Sequence, residues 1–235
     1  MNYFTFKPPY EEDGRTILEF NLLPDKYCTF DCIFCPVSRQ LHKHYKTEAP
    51  HDFGDIADSL NELRRRIEEA KPDLVFINSL GEAFVNDKLE QVIDFIHSLG
   101  LPVRLLSNGY LYGRKEYADL AMKCEEVIGE LKTVHEEAFQ KAQRPLAGYT
   151  VHEYIANMLA FRRKYKGRFL FEVTVVKKYS DDEASLSMFR EIVKQLQPDA
   201  VTVAPMDAPF DKVLGISEEE RQKTETMLQS ELAAK

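Results

Sequence analysis

The sequence predicts an α/β protein whose parallel strands form a partial (β/α)6 TIM-like barrel, with an open doubly wound sheet as the alternative. Two observations support this prediction. Short β-branched runs recur along the chain, and a loop and an amphipathic stretch follow each of them. Most of these runs, such as 74–77 and 173–176, are apolar on both faces, as strands of a covered parallel sheet are. In both arrangements of the sheet, the functional residues are expected at the carboxyl ends of the strands.

The expected strands and helices alternate in chain order. The expected strands are residues 16–22, 74–79, 103–107, 126–131, 169–176 and 200–204. The expected helices are residues 55–70, 87–99, 114–124, 135–141, 151–165, 182–196 and 217–232. In the first helix, Ile56, Leu60, Leu63 and Ile67 recur at a spacing of three or four residues, which makes one buried stripe.

Length and composition favour one globular unit. We expect a single domain over residues 1–235, with a core at about 16–210 and a C-terminal helix at about 217–232. The net charge of −8 disfavours a nucleic-acid-binding protein, although a local basic groove stays open as an alternative. No apolar run approaches ~18 residues, so no membrane span is expected. The N-terminus shows no pattern of a signal peptide.

Three of the four cysteines fall within eight residues, at Cys28, Cys32 and Cys35. They directly follow the first expected strand, so they belong to the first strand-to-helix loop. Three thiolates on one loop can hold three irons of a [4Fe–4S] cluster and leave the fourth iron open to a substrate. A zinc site that also uses His42 or His44 is the alternative, although paired cysteine motifs are more usual for zinc. Such thiols suit a reducing cytoplasm.

The C-x3-C-x2-C spacing, with the aromatic Phe34 before the last cysteine, resembles the signature of the radical S-adenosylmethionine superfamily. The resemblance implies an oxygen-sensitive [4Fe–4S] cluster that reductively cleaves S-adenosylmethionine, so we expect anaerobic chemistry. The product would be a 5′-deoxyadenosyl radical that takes a hydrogen atom from a substrate. It also implies an electron-donating reductase such as flavodoxin or ferredoxin. Phe30, Ile33 and Phe34 are expected to shield the cluster.

Two further turns resemble cofactor-binding segments of the same superfamily. Gly81 and Glu82 follow the second expected strand, where the family has a Gly-Gly-Glu-Pro segment that receives the methionine amino group. Glycine allows close backbone approach, and a carboxylate accepts hydrogen bonds from an amine. Ser107 and Asn108 precede Gly109 after the third strand and resemble a turn near the ribose and methionine portions. The alternatives are an ordinary capped turn and a plain Asn-Gly turn.

Lysines follow the fourth and fifth expected strands. Glu130 and Lys132 replace a serine and an aspartate that many relatives carry. We expect Glu130 to contact the cofactor and Lys132 to lie in the active site, where it would bind a carboxylate, form a Schiff base or only pair with a glutamate. One of Lys177 and Lys178 is expected to face the barrel mouth, and the sequence does not decide which.

A wider resemblance points to the wyosine-synthase-related group of this superfamily. It rests on residues 21–27, 36–39, 136–141, 144–145, 208–210 and 216–220. Members of this group rebuild a guanosine in tRNA from pyruvate and carry a second cluster, for which only Cys124 remains here. Residues 42–46 and 162–168 are the basic candidates for RNA contact, and the second run is expected at the end of the barrel away from the cluster.

We therefore expect a radical enzyme that acts on a small molecule or a peptide. A tRNA-modifying enzyme of the wyosine type is one alternative. A non-catalytic iron–sulfur or zinc protein is another, because the Gly-Glu motif is partial and the Ser-x-Asp element is absent.

Overall fold

The computed structural model describes residues 2–232, which form one sheet of eight strands. The strands are β1 (Thr5–Phe6), β2 (Tyr10–Glu12), β3 (Arg15–Asn21), β4 (Leu74–Ile77), β5 (Val103–Ser107), β6 (Glu126–Leu131), β7 (Arg168–Val173) and β8 (Ala200–Val203). The sheet order is β1-β3-β4-β5-β6-β7-β8, and β2 pairs with β3. Strands β3 to β8 pair in parallel, whereas β1 and β2 run antiparallel to β3.

The six expected strands correspond to β3 through β8. The sheet path ends at β1 on one side and β8 on the other, so the sheet is not closed. The partial-barrel prediction is confirmed, and β8 is the edge strand on one side of the unclosed sheet.

Helices cover the outer face of the sheet. They are α1 (Pro36–Leu41), α2 (Ala57–Ala70), α3 (Leu89–Ser98), α4 (Lys115–Ala121), α5 (Glu136–Ala138), α6 (Val151–Lys164), α7 (Glu183–Leu196), α8 (Asp211–Leu214) and α9 (Glu218–Gln229). The helix expected over 135–141 is instead α5 followed by a π-helical turn, Phe139–Gln143. No helix within residues 2–232 has the length and apolar character needed to cross a membrane.

The two faces of the sheet pack into separate apolar clusters. The outward residues join the helices in the main core, which includes Leu18, Val75 and Val127. The inward residues form a smaller cluster inside the barrel, built on Ile17, Leu74, Phe76 and Ile128. This division explains why the strands read as apolar on both faces.

The sequence did not predict β1 and β2, and their lengths explain why. They contain two and three residues, too few to show alternation. Strand β2 nevertheless contributes Glu12 to the floor of the barrel, at the amino ends of the parallel strands. There the buried Arg104 donates to Glu126 at 2.7 Å and to both oxygens of Glu12 at 2.8 and 2.9 Å. Arg15 reaches the same Glu126 at 2.7 Å.

This ion-pair network stabilises a buried carboxylate. Burial alone would raise the pKa of Glu126, but hydrogen bonds from Arg15 and Arg104 lower it below its ordinary value. Removing one partner would weaken the compensation of this buried charge, since Glu126 pairs with Arg15, Arg104 and Arg168 together.

We expect Arg104→Met to lower the free energy of unfolding by about 2 kcal/mol, because it removes the charged hydrogen bonds from Arg104 to the buried Glu126 and to Glu12, while Arg15 still pairs with Glu126. Urea unfolding followed by circular dichroism measures the change. Arg65→Met is the matched control, since Arg65 makes its ion pairs with Glu62 and Glu69 on the exposed face of α2. Equal stabilities of the two variants would contradict a structural role for the floor network.

Candidate active site

The three clustered cysteines lie on the loop after β3 and line a cavity of about 770 Å³ inside the barrel. All three are free thiols. The backbone N–H of Phe30 donates to the sulfur of Cys28 at 3.4 Å. The N–H of Ser38 donates to the sulfur of Cys35 at 3.3 Å, so Cys35 caps the start of α1. Backbone N–H groups therefore donate to two of the three sulfurs, those of Cys28 and Cys35.

Three thiols on one loop are donors of the kind that an iron–sulfur cluster takes. Among residues 2–232, no three or more His, Cys, Asp or Glu side chains gather closely enough to hold one ion. His42 and His44, the histidines of the zinc alternative, do not line the cavity with the cysteines. Burial raises the pKa of Cys28 to about 12, and burial also raises the pKa of Cys32 well above its ordinary value. Such thiols become ligands when bound iron displaces their protons.

A buried ion pair fixes the cysteine loop from behind. Lys26 is 1% exposed, and its Nζ donates to Asp31 at 3.2 Å and to the carbonyl of Tyr45. The backbone N–H of Ile33 donates to the carbonyl of Ala142 at 2.8 Å, which ties the loop to the π-helical turn. The loop is thus held by contacts that do not depend on a bound metal.

Aromatic side chains cover the loop on both sides. Phe34 is buried against Ala142 and Val176 and also lines the cavity. Phe30 packs edge-on against Phe139, with ring centroids 5.6 Å apart. These contacts place apolar rings beside the loop, while the three cysteines themselves are partly exposed. The shielding expected for Phe30, Ile33 and Phe34 stays a prediction.

Gly81 brings the loop after β4 against the cysteine loop. It forms an isolated parallel bridge with Tyr27, and the N–H of Glu82 donates to the carbonyl of Tyr27 at 2.9 Å. A Cβ atom at position 81 would lie 1.9 Å from that carbonyl oxygen. Only glycine allows this approach, and Gly81 itself lines the cavity.

The structure separates the other expected cofactor contacts into two groups. Asn108 lines the cavity with Gly81, whereas Glu82 and Ser107 are buried behind it. The Glu82 carboxylate accepts from the N–H of Asn108 at 2.8 Å, from the N–H of Phe84 at 3.2 Å and from the hydroxyl of Ser107 at 3.1 Å. Burial raises the pKa of Glu82 to about 7, although these hydrogen bonds act to lower it. Glu82 thus joins the loops after β4 and β5.

Glu130 and Lys132 lie together at the carboxyl end of β6, and both line the cavity. The Lys132 Nζ lies 2.8 Å from Glu130 Oε1. Burial alone would lower the pKa of Lys132, but the Glu130 carboxylate raises it above its ordinary value. A lysine that stays cationic suits the binding of a carboxylate better than Schiff-base formation.

Sequence reasoning missed three residues of this region. Glu172 on β7 is the register partner of Glu130, and it lines the cavity. Its signal was a single acid inside the otherwise apolar run 169–176. Tyr154 on α6 donates its hydroxyl to the carbonyls of Asn108 and Glu130, which fixes the ends of β5 and β6. Neither Tyr154 nor Lys26 shows a pattern in the sequence that distinguishes it from an ordinary residue.

The remaining candidate residues from the sequence do not join the cysteine loop. Lys177 and Lys178 are both exposed and neither lines the cavity, so the expectation that one of them faces the mouth is wrong. Strand β7 ends at Val173, earlier than expected, and the two lysines lie in the turn that follows at 177–180. Cys124 is buried ahead of β6, at the floor end of the barrel. The run 162–168 spans the end of α6 and the start of β7, also away from the cysteine loop.

Residues 24–188 match the family model of the radical SAM superfamily. That match spans the cysteine loop and strands β4 to β7, and the chain belongs to this superfamily. The cysteine loop and the loops after β4, β5 and β6 all lie within the matched residues.

Curated relatives are distant in sequence. A UPF0026 protein of Methanocaldococcus jannaschii is 23% identical over 198 residues, which cover 84% of this chain and 62% of the relative. A UPF0026 protein of Synechocystis sp. is 19% identical, and the match covers 74% of this chain and 64% of the relative. A protein of Brachyspira hyodysenteriae named GTPase Obg is 23% identical over 93% of this chain but 32% of its own length. The chain thus spans less than two thirds of each of these relatives.

Solved structures share the fold at low identity. A radical SAM methyltransferase from Sphaerobacter thermophilus has a TM-score of 0.68 and 14% identity, covering 100% of this chain and 77% of that one. A structure of TYW1 with a lysine–pyruvate adduct bound has a TM-score of 0.64 and 17% identity. That match covers 92% of this chain and 74% of the TYW1 chain. These neighbours confirm the radical SAM fold and the likeness to wyosine-synthase proteins.

We expect Gly81→Ala to cost at least about 2 kcal/mol of stability and to lower the iron bound after reconstitution, because the new Cβ displaces the cysteine loop. Thermal unfolding and iron analysis measure both effects. Gly100→Ala is the control, since Gly100 has φ +77° but no atom within 4 Å of its would-be Cβ. The Gly100→Ala variant should lose roughly 1 kcal/mol of stability and should still bind iron. Equal iron binding by both variants would show that the close approach is unimportant.

Proposed function

We propose that this chain holds a [4Fe–4S] cluster on Cys28, Cys32 and Cys35 and cleaves S-adenosylmethionine reductively as a radical enzyme. The observation that supports this most strongly is the fixed loop of three free thiols that faces a large cavity in a radical SAM domain. The thiols would occupy three irons and leave one iron open, as the cofactor chemistry requires.

When bound, the cluster and S-adenosylmethionine supply a 5′-deoxyadenosyl radical that takes hydrogen from the substrate. The residues of the chain provide binding and exclusion of water. Gly81 and Asn108 line the cavity beside the cysteine loop and would receive the polar portions of the cofactor. Glu82 and Ser107 act behind them by fixing both turns. Lys132 is placed to neutralise a carboxylate.

We propose a small molecule or a peptide as the substrate and a flavodoxin- or ferredoxin-like reductase as the electron donor, in the cytoplasm. Radical SAM neighbours include a structure of SuiB bound to its precursor peptide SuiA, so the fold accommodates peptide substrates. The acidic charge of the chain, and the place of run 162–168 at the end of the barrel opposite the cysteine loop, disfavour the tRNA alternative. The likeness in fold to TYW1 is the reason to test that alternative.

Anaerobic reconstitution with iron and sulfide, followed by dithionite and S-adenosylmethionine, tests the proposal. We expect about four irons per chain and formation of 5′-deoxyadenosine, measured by chromatography. Cys32→Ala should lose both, because it removes one of the three ligands.

Cys124→Ala is the matched control, since Cys124 is buried at the opposite end of the barrel and should not affect either result. A cluster that forms without 5′-deoxyadenosine, and whose paramagnetic resonance spectrum ignores S-adenosylmethionine, would favour the non-catalytic alternative. Salt-sensitive binding of tRNA would favour the wyosine type.

A further inference from the structure

A row of polar side chains crosses the inner face of the barrel toward its open edge. The register pairs Glu130 on β6 with Glu172 on β7, and Glu172 with Thr202 on β8. All three line the cavity. Asp207, a few residues beyond β8, also lines the cavity and lies close enough to Glu172 to influence its charge. The mouth therefore presents three carboxylates near one another.

Positive charge at this mouth is scarce. The cationic side chains that line the cavity within the described chain are Arg104, Lys132 and Arg168. Arg104 binds Glu12 and Glu126 on the floor, and Arg168 lies there too. Lys132 is thus the cation available at the carboxyl ends, and its Nζ already contacts Glu130 at 2.8 Å. The carboxylates of Glu172 and Asp207 remain in excess over this lysine.

The state of Glu172 reflects a surplus of acid around it. Burial, and then the neighbouring Glu130 carboxylate, raise the pKa of Glu172 to about 7, although Lys132 acts to lower it. The hydrogen bond of Glu172 is to Glu130, another acid, so the two carboxylates share a proton or require a cation between them. A partly buried site with more carboxylates than cations favours a ligand that carries its own positive charge.

The position of Glu172 separates it from two of the expected cofactor contacts. Gly81 follows β4 and Asn108 follows β5, next to the cysteine loop after β3. Glu172 lies on β7, between Glu130 and the exposed Thr202 of the edge strand. A substrate group at Glu172 would therefore lie on the side of Glu130 away from Gly81 and Asn108.

We infer that Glu172 and Asp207 bind a cationic nitrogen of the substrate, so that the substrate is an amine or a peptide with a basic side chain. This inference rests on the proposed function, since it assigns the substrate end of the same cavity. The primary ammonium group fits best, because it offers three donors to a group of carboxylates that outnumber the one lysine beside them.

Paired probes that differ only in charge test the inference on the reconstituted holoenzyme with S-adenosylmethionine bound. The small-molecule pair is 1,5-diaminopentane and 1,5-pentanediol. The peptide pair is acetyl-Gly-Lys-Gly-amide and its norleucine analogue. Saturation-transfer NMR measures binding without requiring turnover, so failure here is distinct from failure to form 5′-deoxyadenosine.

At least one cationic probe should bind about tenfold or more tightly than its neutral partner, the size expected for a charge-assisted hydrogen bond. If the small-molecule pair shows the preference, the substrate is a small amine. If the peptide pair shows it, the substrate is a peptide with a basic side chain. Glu172→Gln and Asp207→Asn should each reduce the preference. Glu137→Gln should preserve it, because Glu137 lies on α5 with an exposed side chain.

Three results would overturn the inference. The first is that neither probe pair shows a preference for the cationic member. The second is that Glu172→Gln and Asp207→Asn both keep the preference while circular dichroism shows that they are folded. The third is that the cationic probe displaces S-adenosylmethionine, which would place these carboxylates in the cofactor site.

Discussion

The parallel arrangement of β3 to β8 is the constraint on which the site depends, because it brings every following loop to the same edge of the sheet. The cysteine loop, Gly81, Asn108 and Lys132 are far apart in sequence and meet only at this edge. The antiparallel β1 and β2 do not alter this arrangement. They contribute to the opposite end, where Glu12 joins the floor network.

Contacts among neighbouring loops then give the site its shape before any cofactor binds. The buried Lys26 holds Asp31 within the cysteine loop, and Glu82 holds the turn at Asn108. Tyr154 spans the ends of β5 and β6 from the helix layer. Each of these groups is buried and polar, so each needs its partners to offset the cost of leaving water. The site geometry and the stability of the upper barrel are therefore linked.

Periodicity and local motifs predicted much of this structure from the sequence. The six parallel strands and most helices follow from apolar spacing, and the cysteine loop follows from its spacing and its place after β3. Contacts between distant segments were not accessible in the same way. The partnership of Glu130 with Glu172 depends on the register of β6 and β7, and the exposure of Lys177 depends on where β7 ends. Neither property is encoded in a short window of sequence.

The floor network has a consequence for the electrostatics of the cavity. Arg104, Glu126 and Glu12 bond to one another at the amino end of the barrel, and Arg104 and Glu12 also line the cavity. The three cysteines line the same cavity at the carboxyl ends of the strands. One continuous space therefore joins an ion-paired floor to a thiol-lined mouth. Because charges act over longer distances in a protein interior than in water, a change of charge at the floor also alters the electrostatic potential at the thiols.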